Sequence, residues 1–391
     1  MQQIDTFHVG SFRGLTDVTL EGAGQVNLIV GGNNSGKTSL LEAIAVYAAP
    51  LDVAEWASVA RMREVRGAPF IMHAGLSSTD AIRWLFPQRE ATDWERGARE
   101  LLLSGDGKFN VRSLKAACTP IRGIPPEPRY SQRKNITEDE LIEEDGWHLS
   151  IDMRAEISGT HLNNQLGIDL LEDATDGKEH VKLEMDVWGA SGLRYNPQNS
   201  APRLKCVTLS PYSHRNQPLT MRMLSRIISS GEKSDLIGLL QGVDANIKDL
   251  EILTEGGGRP LITALLADGR RVPVSVLGDG FRRALAIAIA MNQVKGGVLL
   301  IDEVETAMHV SALDTLFPWL VRLAAAQNVQ IFATTHSLEA IQAITAAAVR
   351  VGSECLTAYH IPNRNEKGAK PRRYTSGMLT RVVRDRGLDI R

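Results

Sequence analysis

Aromatic residues make up only 5% of this 391-residue chain, and only three cysteines occur, Cys118, Cys206 and Cys355. Thiols this few and this scattered exclude a disulfide framework and a thiolate metal site, and the expected compartment is the cytosol. No apolar run reaches membrane-spanning length. The longest, Ala284 to Met291, is short and sits against Arg282 and Arg283. The N-terminus lacks a signal-peptide core, because Asp5 and His8 interrupt it. A net charge of −2 gives the whole chain no nucleic-acid signature. Acids are absent locally: residues 187–231 contain no Asp or Glu, yet carry Arg194, Arg203, Lys205, Arg215, Arg222 and Arg226. There is no internal repeat and no sustained heptad pattern. What remains is ordinary for a water-soluble chain: 43% hydrophobic, 23% charged, and long enough for a large core in two lobes.

Residues 31–38 read Gly-Gly-Asn-Asn-Ser-Gly-Lys-Thr, a complete G-x-x-x-x-G-K-[ST] phosphate-binding loop. The run Gln25 to Val30 before it predicts a buried strand, and Ser39 to Ala49 after it predicts a helix. That context aims backbone N–H groups and a helix N-terminus at phosphates. Lys37 then reaches the β- and γ-phosphates of ATP, and the Thr38 hydroxyl is a Mg²⁺ ligand. Gly31, Asn33, Asn34, Ser35, Gly36 and Ser39 complete the cradle.

Three further segments belong to the same chemistry. Val298 to Ile301 is apolar and ends in Asp302-Glu303. A buried strand there delivers Asp302 to the Mg²⁺ shell and Glu303 to the attacking water as general base. Gly278-Asp279-Gly280 opens a helix upstream, and a glycine-flanked helix start is an anion site. Gln330 to Thr334 is a strand ending in Thr335-His336-Ser337, which puts His336 where ligands bind in open α/β sheets.

Elsewhere the pattern is coarser. Strands are expected at Gln3–Val9, Asp17–Leu20, Trp147–Ile157, His180–Trp188, Asp249–Leu253 and Leu261–Leu266. Helical patterning runs from Asp52 to Glu100, with Trp56, Trp84 and Trp94, and again at Lys233–Gln241. The acidic cluster Glu138, Asp139, Glu140, Glu143, Glu144 and Asp145 reads as a solvated helix or loop. A closing α/β half is predicted from helices Phe281–Met291, Ala312–Gln327 and Leu338–Ala348 alternating with strands Gly297–Ile301 and Val329–Thr334. From Arg364 to Arg391 nine Lys and Arg face three acids.

In this order the motifs resemble the ABC-type ATPases, specifically their SMC/RecF/OLD branch. The resemblance rests on Phe12-Arg13-Gly14-Leu15, GGNNSGKTSLLEAI, LGDGFRR, LLIDEVETAMH and ATTHS, and covers roughly residues 1–48 and 235–350. It implies an α/β ABC-type P-loop head over 1–361, with an N-terminal antiparallel lobe, a mostly parallel core sheet and a helical insertion at about 52–145. Residues 362–391 are then a basic C-terminal tail. It implies that Gly278, Asp279 and Gly280 bind the γ-phosphate held by a second subunit, that His336 contacts that phosphate, and that Arg13 belongs to the nucleotide site. LGDG points to the OLD-like subset, whose stand-alone ATPases work in defence against phage beside a separate nuclease or toxin.

The departures limit the likeness. Gly278 stands where a transporter ATPase has serine. Ser311-Ala312-Leu313-Asp314 comes too late after Glu303 to be the D-loop, whose place is Glu305 to His309. Only 55 residues follow His336, too few for the Toprim nuclease of OLD enzymes. The expected function is a Mg-dependent ATPase that dimerises around ATP and switches a separate effector. The alternative is a RecF-like DNA-binding clamp, favoured by the acid-free basic stretch. A transporter motor and a non-hydrolysing scaffold fit the residues less well.

Overall fold

The computed structural model describes residues 1–63, 78–88, 99–124, 143–156, 178–188, 202–215, 218–254, 260–352, 355–363, 369–387 and 389–390. Numbered along the chain, the first elements are strands β1 (Thr6–Phe12), β2 (Leu15–Leu20) and β3 (Val26–Val30), then helix α1 (Lys37–Ala48). The chain packs as two units. One comprises residues 3–21 and 42–204, the other residues 22–41 and 205–391.

In the first unit, Phe7, Val9 and Phe12 of β1 are buried while residues between them are not, so the strand presents one face to a core. Helices α2 (Val53–Arg61) and α3 (Ser78–Arg83) follow, then four strands: β4 (Arg99–Asp106), β5 (Val111–Gly123), β6 (Glu144–Glu156) and β7 (Lys178–Trp188). The sheet order is β2-β1-β4-β5-β6-β7, antiparallel throughout. Its buried face carries Leu101, Leu103, Leu114, Ala116, Cys118, Leu149, Ile151 and Met153. The second half of α1 belongs to this unit. Tyr47 packs its ring 5.3 Å from Phe7 and 5.5 Å from Phe109, and donates its hydroxyl to the Val111 carbonyl. Burial pushes the Tyr47 phenol up, so the hydroxyl remains a donor.

Among its described residues, the helical insertion expected at about 52–145 is helical only up to Arg83. From Arg99 the side chains alternate between buried and exposed, and that period of two makes β4 and β5. Of the acidic cluster, Glu138, Asp139 and Glu140 lie outside the described residues. Glu143 pairs with Arg122 at 3.1 Å, and Glu144 and Asp145 open β6 rather than a helix or loop. Trp94 and Arg194 also lie outside the described residues.

The second unit holds strand β8 (Cys206–Leu209), helices α4 (Pro218–Ser229) and α5 (Lys233–Val243), and strands β9 (Ile247–Leu253), β10 (Leu261–Leu266) and β11 (Arg271–Pro273). Helix α6 (Asp279–Gln293), strand β12 (Val298–Ile301), helix α7 (Val310–Ala326), strand β13 (Gln330–Thr334) and helix α8 (Leu338–Arg350) follow. Strands β14 (Leu356–His360) and β15 (Arg372–Thr375) and the short helix α9 (Ser376–Leu379) close it. Strands β9 to β11 form a small antiparallel sheet. The main sheet has the order β15-β14-β3-β13-β12-β8 and is parallel except for β15. Every residue of β3, β12 and β13 is buried, as a parallel sheet covered on both faces requires. Strand β13 lies between β3 and β12, so the exits of all three meet at one edge. This is a mostly parallel α/β sheet with the glycine loop at the exit of a central strand, the arrangement of a P-loop NTPase.

The described residues of 362–391 do not form a free basic tail. Strand β15 pairs with β14, and Leu379, Val383 and Ile390 enter the core, with exposures of 1%, 1% and 5%. The arginines of β15, Arg372 and Arg373, face solvent at the sheet edge, where charge blocks further strand pairing.

Candidate active site

Strand β3 ends at Val30, and the loop 31–36 returns the chain to α1. The turn needs glycine at Gly31, whose φ is +148° and where a Cβ would meet the Ile361 carbonyl at 2.5 Å. Gly36 has φ +98°, again a glycine conformation, and Asn34 sits at φ +61°. Ser35 and Ser39 are buried, whereas Asn33 and Asn34 are exposed. Lys37 is 5% exposed and its Nζ donates to the Gly31 and Gly32 carbonyls, each at 2.8 Å. Desolvation lowers the Lys37 pKa, opposed by the charges of Asp302, Glu303 and Glu305.

The expected metal ligands meet. Thr38 Oγ1 lies 3.1 Å from both Asp302 carboxylate oxygens. Thr334, at the end of β13, donates its hydroxyl to Asp302 Oδ1 at 2.6 Å and accepts the Glu303 N–H at 2.8 Å. One buried hydroxyl therefore fixes both residues at the exit of β12. An oxygen-only pair of hydroxyl and carboxylate suits Mg²⁺, which prefers one or two protein oxygens plus substrate phosphates to an all-protein cage. Among the described residues no group of three or more His, Cys, Asp or Glu forms such a cage.

Glu303 occupies the left-handed region at φ +46°, an unfavourable conformation for a residue with a side chain. Thr306 Oγ1 donates to its Oε2 at 2.9 Å, so the carboxylate is held in the turn. Glu305 does different work. Its Oε1 accepts the backbone N–H groups of His336 and Ser337 at 2.9 and 3.2 Å, tying the strand-to-helix turn of His336 to the Asp302 turn.

Helix α6 begins at Asp279 with Gly278 as its N-cap. The Asp279 carboxylate is taken by Arg215 at 2.7 Å and also by Arg282, with His214 Nε2 at 3.6 Å. These contacts hold Asp279 below the usual carboxylate range, the Arg215 hydrogen bond contributing most. Gly280 is a close approach: a Cβ there would meet the Ala307 carbonyl at 2.9 Å. In the first unit Arg13, at φ +51°, pairs with Glu42 of α1 at 2.8 Å, and Arg63 joins the same carboxylate at 2.7 Å. The motifs give no role to Thr334 or Arg283, and place Glu305 only as the first residue of the D-loop segment. Thr334 is the earlier threonine of ATTHS, and Arg283 lies in the signature run, where a charged residue reads as solvent-facing.

The strand order, the loop and the Asp-Glu exit define a P-loop ATPase. Residues 157–342 match the family described as "AAA domain, putative AbiEii toxin, Type IV TA system", and residues 6–48 match one described as "AAA domain". An uncharacterized protein of Methanocaldococcus jannaschii is 41% identical over 78 residues, 20% of this chain and 68% of that protein; the chain belongs to the same family. An "ATP/GTP phosphatase" of Helicobacter pylori is 24% identical over 354 residues, 87% of this chain and 86% of its own. A solved Smc head with extended coiled coil, bound to the C-terminal domain of ScpA from Pyrococcus furiosus, covers 98% of this chain and 99% of its own, at 10% identity and a TM-score of 0.44. Such loose likeness adds nothing to the fold read from the sheet order.

Proposed function

We propose that this protein is an ATP-hydrolysing switch that closes as a dimer around nucleotide and controls a separate effector, a nuclease or toxin, in defence against phage. The observation that carries the chemistry is the meeting of Lys37, Thr38, Asp302, Thr334 and Glu303 at one sheet edge. ATP binding exchanges the Lys37 bonds to Gly31 and Gly32 for bonds to phosphate oxygens. Thr38 and Asp302 hold Mg²⁺, which when bound neutralises phosphate charge. Glu303 accepts a proton from the water whose oxygen attacks the γ-phosphorus, the bond to the β–γ bridging oxygen breaks, and ADP leaves. His336, oriented through its own backbone by Glu305, donates to the γ-phosphate. The N-terminus of α6, with Gly278, Asp279 and Gly280, completes the site of a second copy. The name of the Helicobacter pylori relative supports nucleotide hydrolysis, and the AbiEii description of the matched family supports the defence role.

The test pairs Lys37→Ala with Glu303→Gln. The first loses turnover by about 10²-fold or more, because a transition-state charge contact is gone. The second keeps ATP bound, stops hydrolysis and accumulates as dimer in light scattering. Phage challenge of cells carrying the gene and its native neighbours loses protection with Lys37→Ala. Protection that survives both substitutions separates defence from ATP.

A second reading, a RecF-like DNA clamp, draws on Arg222 and Arg226. They stand four residues apart on α4, exposed, with no ion pair among the described residues. Tight, salt-dependent DNA binding without phage protection favours it.

A further inference from the structure

Arg283 is the most unusual side chain of the second unit. It is fully buried, yet no carboxylate among the described residues bonds it. Its guanidinium is spent on three backbone carbonyls: Ser210 at 2.5 Å, Asp302 at 2.8 Å and Glu303 at 3.2 Å. Ser210 follows strand β8, and Asp302 and Glu303 follow β12, so one side chain clasps the exits of two neighbouring strands. It reaches them from the second turn of α6, the helix that Gly278-Asp279-Gly280 opens. Gly280, one turn back, lies against the Ala307 carbonyl of the same turn. Helix α6 therefore grips the Asp302–Ala307 turn at two points.

A buried apolar residue of similar size would fill this space without desolvating a cation. Carbonyls freed by its loss would be left in a site where unpaired polar groups are costly. What the guanidinium adds is direction. The Asp302 and Glu303 carbonyls are the backbone of the two residues that bear the functional carboxylates, and Glu303 is held at φ +46°. One terminal nitrogen, Nη2, donates to both of these carbonyls while Nη1 holds Ser210, so the planar guanidinium ties the turn to the exit of β8, a span that a single ammonium cannot cover.

We infer that Arg283 is a positioning residue: it locks the Asp302–Glu303 turn in its catalytic conformation and makes that conformation depend on the placement of α6. This rests on the hydrolytic reading of the site given above. In a dimer, whatever seats at the start of α6 then acts on the carboxylates of the same chain. Hydrolysis in one site is thereby tied to occupancy of the other.

The experiment compares wild type, Arg283→Lys and Arg283→Gln as full-length proteins, with circular dichroism melts to confirm folding. In EDTA, fluorescent ATP-analogue binding stays within about twofold of wild type, because the Lys37 loop is untouched. With Mg²⁺, kcat falls and half-saturating Mg²⁺ rises, each about 10–100-fold for Arg283→Gln, the range for residues that orient metal ligands. Arg283→Lys, which folds most readily, falls between. The Hill coefficient for ATP drops toward one in both variants. Folded variants with wild-type kcat, Mg²⁺ dependence and Hill coefficient overturn the inference. So does a parallel loss of Mg²⁺-free ATP binding, which marks a merely structural arginine. Wild-type protein with no turnover in any condition instead overturns the hydrolytic reading itself.

Discussion

In the first unit every second side chain of a strand such as β4 faces outward, whereas in the second β3, β12 and β13 are buried from end to end. The outer faces of the antiparallel strands carry salt bridges, Lys115 with Glu100, Arg112 with Glu156 and Lys182 with Glu184, and the side-chain contacts His148–Asp186 and His180–Asp152. Such a face is polar and solvated. The parallel strands have no outer face, so their polar groups gather at the strand ends. Asp302, Glu303, Thr334 and the glycine loop are all found there. Chemistry follows from where a buried sheet is forced to stop.

Three perturbations sharpen this contrast. Thr334→Val removes the hydroxyl that fixes Asp302 and the Glu303 N–H while keeping its shape. Turnover falls about 10–100-fold, measured as phosphate release, and the loss exceeds any change in ATP affinity. If kcat holds, the strand end is not what organises the carboxylates. Leu103→Ala, in the core of the other sheet, costs about 2–5 kcal/mol of stability but leaves kcat per folded molecule unchanged. The readout is alkylation of Cys118. Burial pushes this thiol up to about 12, so almost no thiolate exists at neutral pH and labelling requires opening. Faster labelling of Cys118 with unaltered turnover is the expected pair of results. A matching loss of kcat erases the distinction between the units. Lys115→Ala, on the exposed face, changes the unfolding free energy by no more than about 0.5 kcal/mol, and salt removes even that. A larger shift would give the charged face a role that solvation does not explain.

The sequence carried the nucleotide loop because its glycines, lysine and threonine are dictated locally, by chain geometry and by phosphate. The Asp302-Glu303 exit was legible for the same reason. Strand β8 was not: four residues with Cys206 and Thr208 among them make no pattern of their own. Its place comes from pairing with β12. The alternation of Leu101 and Leu103 was masked by Leu102, which completes an apolar triplet and hides the period of two. Arg283 was read as breaking an apolar run, since charge ordinarily marks exposure. Only the three carbonyls around it make its burial intelligible. The tail failed similarly, because its many cations concealed Leu379 and Val383 at core positions.

The sheet order also sets a timetable for synthesis. Strand β3, at residues 26–30, finds its neighbours at 330–334 and 356–360. About 300 residues must be translated before the glycine loop has a sheet to stand on, which at roughly 5–20 residues per second takes tens of seconds. Loop closure over that distance makes the nucleotide site one of the last parts of the chain to form. An unfinished chain, or one that stops before β13, has the complete phosphate-binding motif and nowhere to present it. Nucleotide binding is thus reserved for chains that extend past β13 and β14, and a ribosome-stalled series of lengthening chains should acquire it abruptly.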